Sequence, residues 1–156
     1  MFNGGARLQS AAFLHRLFSL AWAGDPLIGE ESMARSNSWM TDVPYSLMRV
    51  IVGLAFAEHG AQKLFGLLGG RAVPLASLFG AAGVIELVGG LLIAFGVLTT
   101  WAALIASGEM AVAFFHSHAP QGFWPIQNHG ELAVLYCFVF LYIAARGGGR
   151  WKIFGR

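Results

Sequence analysis

The chain predicts an all-α integral membrane four-helix bundle with an N-terminal extension, and three observations predict it. Of its 156 residues, 56% are hydrophobic and only 12% are charged, with a mean hydropathy of +0.62; a soluble domain carries about 25% charged residues. The apolar residues gather into four runs of roughly 17–25, the length a helix needs to cross a ~30 Å hydrocarbon core. Every acidic residue after Asp42 lies inside one of these runs, one per run: Glu58, Glu86, Glu109 and Glu131. A carboxylate at mid-bilayer costs about 2.5–3.5 kcal/mol on insertion scales, so such groups turn toward a bundle interior or cavity.

Residues 1–44 are of different material, with Gly, Ser, Asn and charges of both signs. Within them Leu8–Trp22 is apolar but interrupted by His15 and Arg16. It is too short and polar to span, and reads as an interfacial amphipathic helix or a poorly ordered extension. It lacks the charged leader and small-residue cleavage site of a signal peptide. A start at Met33 or Met40 would remove it altogether. The bundle occupies residues 45–146. Segment one runs from about Tyr45 to Leu68. Segment two runs from Leu75 to Leu98, with Pro74 suited to its first turn. Segment three covers Thr99 to about His118 and segment four Asn128–Ala145. The loop Ala119–Gln127 carries Pro120 and Pro125, and Gly147, Gly148 and Gly149 end segment four. The tail 147–156 is basic through Arg150, Lys152 and Arg156, next to Arg146. Four spans put both termini on one side, and basic residues beside a span mark the cytoplasmic side. The expectation is a cell (inner) membrane protein with both ends inside, although Arg71 in the first outer loop runs against that rule.

Helical spacing at 100° per residue assigns faces. On segment one Arg49, Val52, Phe56, His59, Gly60 and Lys63 share a stripe, with Gly53 a further small residue. Glu58 and Gln62 lie nearly opposite, which reads segment one as a central helix, polar on two sides. By rise per residue, Glu58, Glu86 and Glu109 fall within about one turn of a common depth, and Glu131 lies nearer the outer end. Glu86 is flanked by Ala82, Gly83, Gly89 and Gly90, and Glu109 by Ala102, Ala106, Ala113 and His116. Small residues mark close helix contacts in membranes, so both glutamates face other helices. Glu131 lines up with Val134, Leu135, Phe138 and Tyr142. The structural alternative is that these polar groups only glue the bundle, at roughly 0.6–2 kcal/mol each, with Arg49 and Lys63 neutralising two of the four glutamates.

His116, His118 and His129 fall at the outer ends of segments three and four. With Glu131 they match a metal site in ligand type but in no known spacing; the alternative is that they face headgroups, and a metal is not expected. Haem is disfavoured because only His59 is intramembrane. No nucleotide loop, CxxC or Ser–His–Asp set is present, and a pI near 9.0 does not point to nucleic acid, because the bases are dispersed. Cys137 is the single cysteine, so no intrachain disulfide can form.

RVIVGLAFAEHGAQKLFG (Arg49–Gly66), GVIELVGGLLIAFGVLTTWAALIASGEMAVAFF (Gly83–Phe115) and NHGELAVLYCFVFLYIAARGGGRW (Asn128–Trp151) recur in the order seen in the DoxX family of small four-helix membrane proteins, which the chain resembles from Tyr45 to Trp151. The family motif matches Arg49, Gly53, His59, Gly60, Lys63, Glu86, Gly90, Glu109, Met110 and Glu131. The family takes its name from a small subunit of an archaeal thiosulfate:quinone oxidoreductase. Other relatives are described as partners in complexes that handle thiols and oxidative stress. The tail GGGRWKIF departs from the usual pattern by lacking an Asp, which puts a tail-based partner contact in doubt.

The resemblance implies a membrane subunit of a redox-linked, quinone-interacting complex. Quinone is the expected ligand and no covalent cofactor is expected. Glu58, Glu86 or Glu109 would accept protons, and Arg49 or Lys63 would stabilise a semiquinone or a carboxylate. The chain has no evident redox centre and no complete catalytic set, so it is at most one subunit of an oxidoreductase, surrounded by lipid and by other membrane or peripheral redox subunits. Two other readings stand beside it: a non-catalytic accessory subunit, held together or to copies of itself by its close-packing glycines, and a small proton-coupled transporter.

Overall fold

In a computed structural model of the chain, the backbone is described for residues 26–153 and the side chains from Trp39 onward. The expected amphipathic helix over Leu8–Trp22 lies outside the described residues, as does Arg156. The chain divides into two compact units, Met1–Thr41 and Asp42–Arg156. What is described of the first is helical. The second holds everything discussed below, and among the described residues no strand occurs.

Helix α1 runs from Pro26 to Phe65, starting well before the expected Tyr45. Pro26 fits a first helical turn, where its missing N–H bonds nothing. Pro44 lies inside α1, where a proline removes one i→i−4 bond. The division of the chain between Thr41 and Asp42 falls in that weakened turn. The composition change at residue 44 therefore marks a unit boundary inside one helix, not a helix start.

Helix α2, Leu78–Phe95, starts later than expected. Pro74 and Leu75 precede it, and Ser77 is its N-cap. The Ser77 hydroxyl accepts from Gly80 N at 3.0 Å and donates to Pro74 O at 2.6 Å. One π-turn, Ile85–Gly89, interrupts it. Gly96 (φ 72°) ends α2 and Leu98 (φ 47°) opens α3, Thr99–Ala113, which continues as a π-segment Phe114–His118 and a 3₁₀ turn Ala119–Gln121. The expected loop thus holds structure of its own, including the short helix α4, Pro125–Asn128. Helix α5, Glu131–Arg146, stops at Gly147 (φ 76°), in the glycine run expected to stop it.

The core is small and aromatic. Phe56 of α1 meets Phe140 of α5 with ring centroids 4.6 Å apart, and Tyr136 stacks on Phe140 at 5.4 Å. Ala103 and Ala106 of α3 are fully buried, and Ser107 donates to Cys137 O at 2.8 Å, joining α3 to α5. α1 and α2 touch backbone to backbone. A Cβ on Gly53 would lie 2.7 Å from Ala94 N, and one on Gly90 2.6 Å from Ala57 N. Gly60 abuts Leu87 N, and a Cβ there would also lie 2.6 Å from Gly83 O. Gly83 differs, since its added Cβ would meet only the side chains of Leu64 and Lys63, at 3.1 Å. The glycines expected to pack helices do so, and within this chain.

The outer faces are apolar on every long helix: Ile51 and Leu54 on α1, Val88 and Leu91 on α2, Trp101 and Ile105 on α3, Leu135 and Phe138 on α5 are all exposed. Apolar surface that continuous is unsuited to water. Trp39–Phe65 and Leu78–Phe95 are long and apolar enough to cross a bilayer. The chain is an all-α membrane protein.

Candidate functional site

At the end of the bundle opposite the C-terminal tail, α1 finishes, α2 begins, α3 unwinds into its π-segment and α5 starts. Four helix termini meet there, and the polar side chains gather among them. Lys63, in the last turn of α1, puts its ammonium 2.6 Å from Glu86 Oε1. The Glu86 side chain is 3% exposed and that of Lys63 29%, so the pair is rooted in the core and reaches outward through the lysine. Glu86 Oε2 is buried with no hydrogen-bond partner. Glu86 sits in the π-turn of α2; π-turns often occur at functional sites.

Two clefts adjoin this pair. The first, of about 260 Å³, is lined by Phe56, His59, Lys63, Glu86, His118, His129 and Tyr136 among others. His59 presents its ring edge-to-face to Tyr136 at 6.2 Å and lies within electrostatic reach of Glu86. The second, of about 230 Å³, is lined by Lys63, Phe79, Ile105, Glu109, Val112 and His116 among others. Glu109 lies within electrostatic reach of Glu86 and Lys63, and its Oε2 too is buried without a partner. Lys63, Phe79, Ala113 and Ser117 border both clefts.

Asn128 braces His118 and the turn before α5, beside the first cleft. It is 1% exposed; its amide donates to Gly122 O at 2.5 Å and its Oδ1 accepts from Gly130 N at 2.8 Å. His118 donates through Nδ1 to Asn128 O at 3.1 Å. His129, in the left-handed conformation (φ 58°), follows. Sequence reasoning set Asn128 as the first residue of a helix and overlooked it; the signal was an Asn two residues before a Gly, suited to a side-chain-closed turn. Tyr136 was overlooked too, as one aromatic in an apolar run.

The structure sorts the expected site residues. Lys63, Glu86, Glu109 and His59 come together. Arg49 does not join them. It is fully buried near the other end of the bundle and neutralises no glutamate. Its guanidinium donates to Ile93 O, to Ala94 O at 2.7 Å and to Trp151 O at 2.6 Å. Ile93 and Ala94 are in the last turn of α2, whose carbonyls run out of i→i+4 donors and carry partial negative charge, so the guanidinium binds a helix end, supplementing the Gly96 N–H on Ile93 O. Glu58 and Glu131 are exposed. Glu58 lies on the outer face of α1 with Ile51 and Leu54, which corrects the view of α1 as enclosed by helices. Of the stripe on α5, Glu131, Leu135, Phe138 and Tyr142 likewise face outward, while Val134 packs against the core. His118 and His129 share the first cleft, while His116 lines the second. Among the described residues no three His, Cys, Asp or Glu side chains are grouped to hold a metal.

The DoxX family profile matches residues 45–119, which takes in α2, α3, the whole second cleft and the α1–α3 side of the first, but stops before α5. An uncharacterized protein of Haemophilus influenzae is 42% identical over 115 residues, covering 68% of this chain and 86% of that protein. No solved structure matches. A relative of that identity, aligned along most of its length, together with a profile match across the helices that carry Lys63, Glu86 and Glu109, makes this chain a member of the DoxX family of helical membrane proteins.

Proposed function

We propose that the chain is a membrane subunit of a quinone-linked redox complex and that the first cleft receives the quinone head. The observation that carries this reading is the Lys63–Glu86 pair, fixed at 2.6 Å in a cleft walled by Phe56 and Tyr136. The residues fit such a ligand: a lysine to donate to a ring carbonyl, a carboxylate oxygen left without a partner to accept from a ring hydroxyl, and aromatic walls for the ring plane. A bound quinone would supply paired electron and proton chemistry. The chain's own share is to bind and orient the ring, keep water out with its aromatic wall, and hold a proton at Glu86. Electrons need a partner subunit. In this reading all four long helices span the cell membrane, both termini are cytoplasmic, and the clefts lie in the outer half.

Equilibrium binding of a short-chain quinol, kept reduced under inert gas, to the detergent-purified chain tests it. Glu86→Gln keeps the shape but loses a charge-assisted hydrogen bond of about 1.5–3 kcal/mol, so affinity should fall about tenfold or more. Unchanged affinity would remove the cleft from consideration.

One observation favours an accessory role as a second reading. Glu58 is exposed amid apolar residues on the outer face of α1, where an uncovered carboxylate costs about 2.5–3.5 kcal/mol in lipid. A partner helix with a donor or cation would relieve that cost. Glu58→Leu should then raise the stability of the isolated chain while abolishing co-purification of a partner from native membranes. A partner retained at wild-type stoichiometry would count against it.

A further inference from the structure

The second cleft is not explained by a quinone in the first. Its walls are almost wholly apolar, and Leu78, Phe79, Ile105 and Val112 at its rim are each half exposed or more, so it opens sideways, toward the acyl chains. At its base stands Glu109, whose Oε2 has no partner and no access to water. The neighbouring charges do not balance: two carboxylates, Glu86 and Glu109, share one ammonium, and Lys63 is committed to Glu86 Oε1 at 2.6 Å. His116 stands exposed at the mouth, its Nδ1 3.4 Å from Ser117 Oγ. A carboxyl in an apolar wall holds either its proton or a counter-cation.

We infer that the cleft over Glu109 is a binding site for a small lipophilic monocation that enters from the bilayer, with Glu109 as counter-ion. Size restricts the ligand. About 230 Å³ is below the roughly 300–1,000 Å³ of drug-sized pockets, so it suits one aryl or short alkyl group bearing a single ammonium head. Phe79, on the rim, offers a ring face that attracts such a head. The inference does not depend on the quinone reading, because the carboxylate and most of the lining residues differ.

Calorimetric titration of the detergent-purified chain with benzyltrimethylammonium, against its neutral isostere neopentylbenzene, tests it. The cation should bind at least tenfold tighter than the isostere. Glu109→Gln should erase that preference, Val112→Trp should block both ligands by filling the cleft, and Glu58→Gln, on the outer face of α1, should change nothing. Equal affinity of cation and isostere for the wild type would overturn the inference, as would an unchanged preference in Glu109→Gln or unchanged binding in Val112→Trp. If Glu109→Gln fails to assemble, the wild-type comparison and Val112→Trp still decide. Quinol affinity, measured on the same samples, separates failure here from failure of the first cleft.

Discussion

Alanine at Gly60 should prevent α1 and α2 from closing. The added methyl would enter the backbone of α2, overlapping Leu87 N and lying 2.6 Å from Gly83 O and 2.8 Å from Leu87 Cα. Backbone atoms cannot rotate away as a side-chain end can, so the helices must separate. Overpacking of an adaptable core costs about 1–3 kcal/mol, occasionally more; here about 3 kcal/mol or more is expected, with loss of the Lys63–Glu86 pair, which depends on the same helix contact. Two controls make the prediction specific. Gly83→Ala meets only side chains and should be much milder. Gly108→Ala, with nothing within 4 Å on α3, should stabilise, because glycine in a helix interior is about 0.8–1.0 kcal/mol worse than alanine. Unfolding midpoints in mixed micelles would rank the three. Equal losses at Gly60 and Gly83 would show that the backbone contact is not what holds α1 to α2.

Arg49→Met should have the next largest effect. It leaves Ala94 O and Trp151 O without the guanidinium and Ile93 O with only the Gly96 N–H, in a site with no exposure. A buried carbonyl left without its charged donor costs about 1–3 kcal/mol, and at least two are affected. The tail should loosen first, since its other ties are few: Tyr45 donates to Gly147 O, Ile153 N donates to Phe95 O at 3.2 Å, and Arg146 bonds Asp42 at 3.0 Å and lies over the Tyr45 ring. Hydrogen exchange at residues 151–153 should rise before that of the helices. Arg49→Lys should recover only part, because one ammonium cannot reach three carbonyls as a guanidinium fork does. A tail that stays protected in Arg49→Met would show that the guanidinium is not its anchor.

Much of this was legible in the residues. The spacing that put Arg49, Phe56, His59 and Lys63 on one stripe describes the inward face of α1, and the glycines beside Glu86 announced a close contact. Glu58 and Glu131 were misread because four carboxylates in four apolar runs suggested one shared interior. Periodicity had already placed Glu58 opposite the inward stripe; the depth argument outweighed it. The partners of Arg49 were beyond reach, because backbone carbonyls leave no mark in composition. The π-turns were equally hidden. Each shifts the helical phase within one helix, so a fixed 100° step cannot predict the faces beyond it.

The clip at Arg49 also imposes an order on biosynthesis. Arg49 and Trp151 are 102 residues apart, and at ribosomal speeds of about 5–20 residues per second the arginine precedes its last acceptor by roughly 5–20 s. Throughout that interval the first helix carries a charge that its own chain cannot yet fully satisfy. Until then the acceptors of the guanidinium are at most the two carbonyls that end α2. The finished tail then closes the clip, so that a chain truncated before Trp151 lacks one of the three acceptors of the guanidinium.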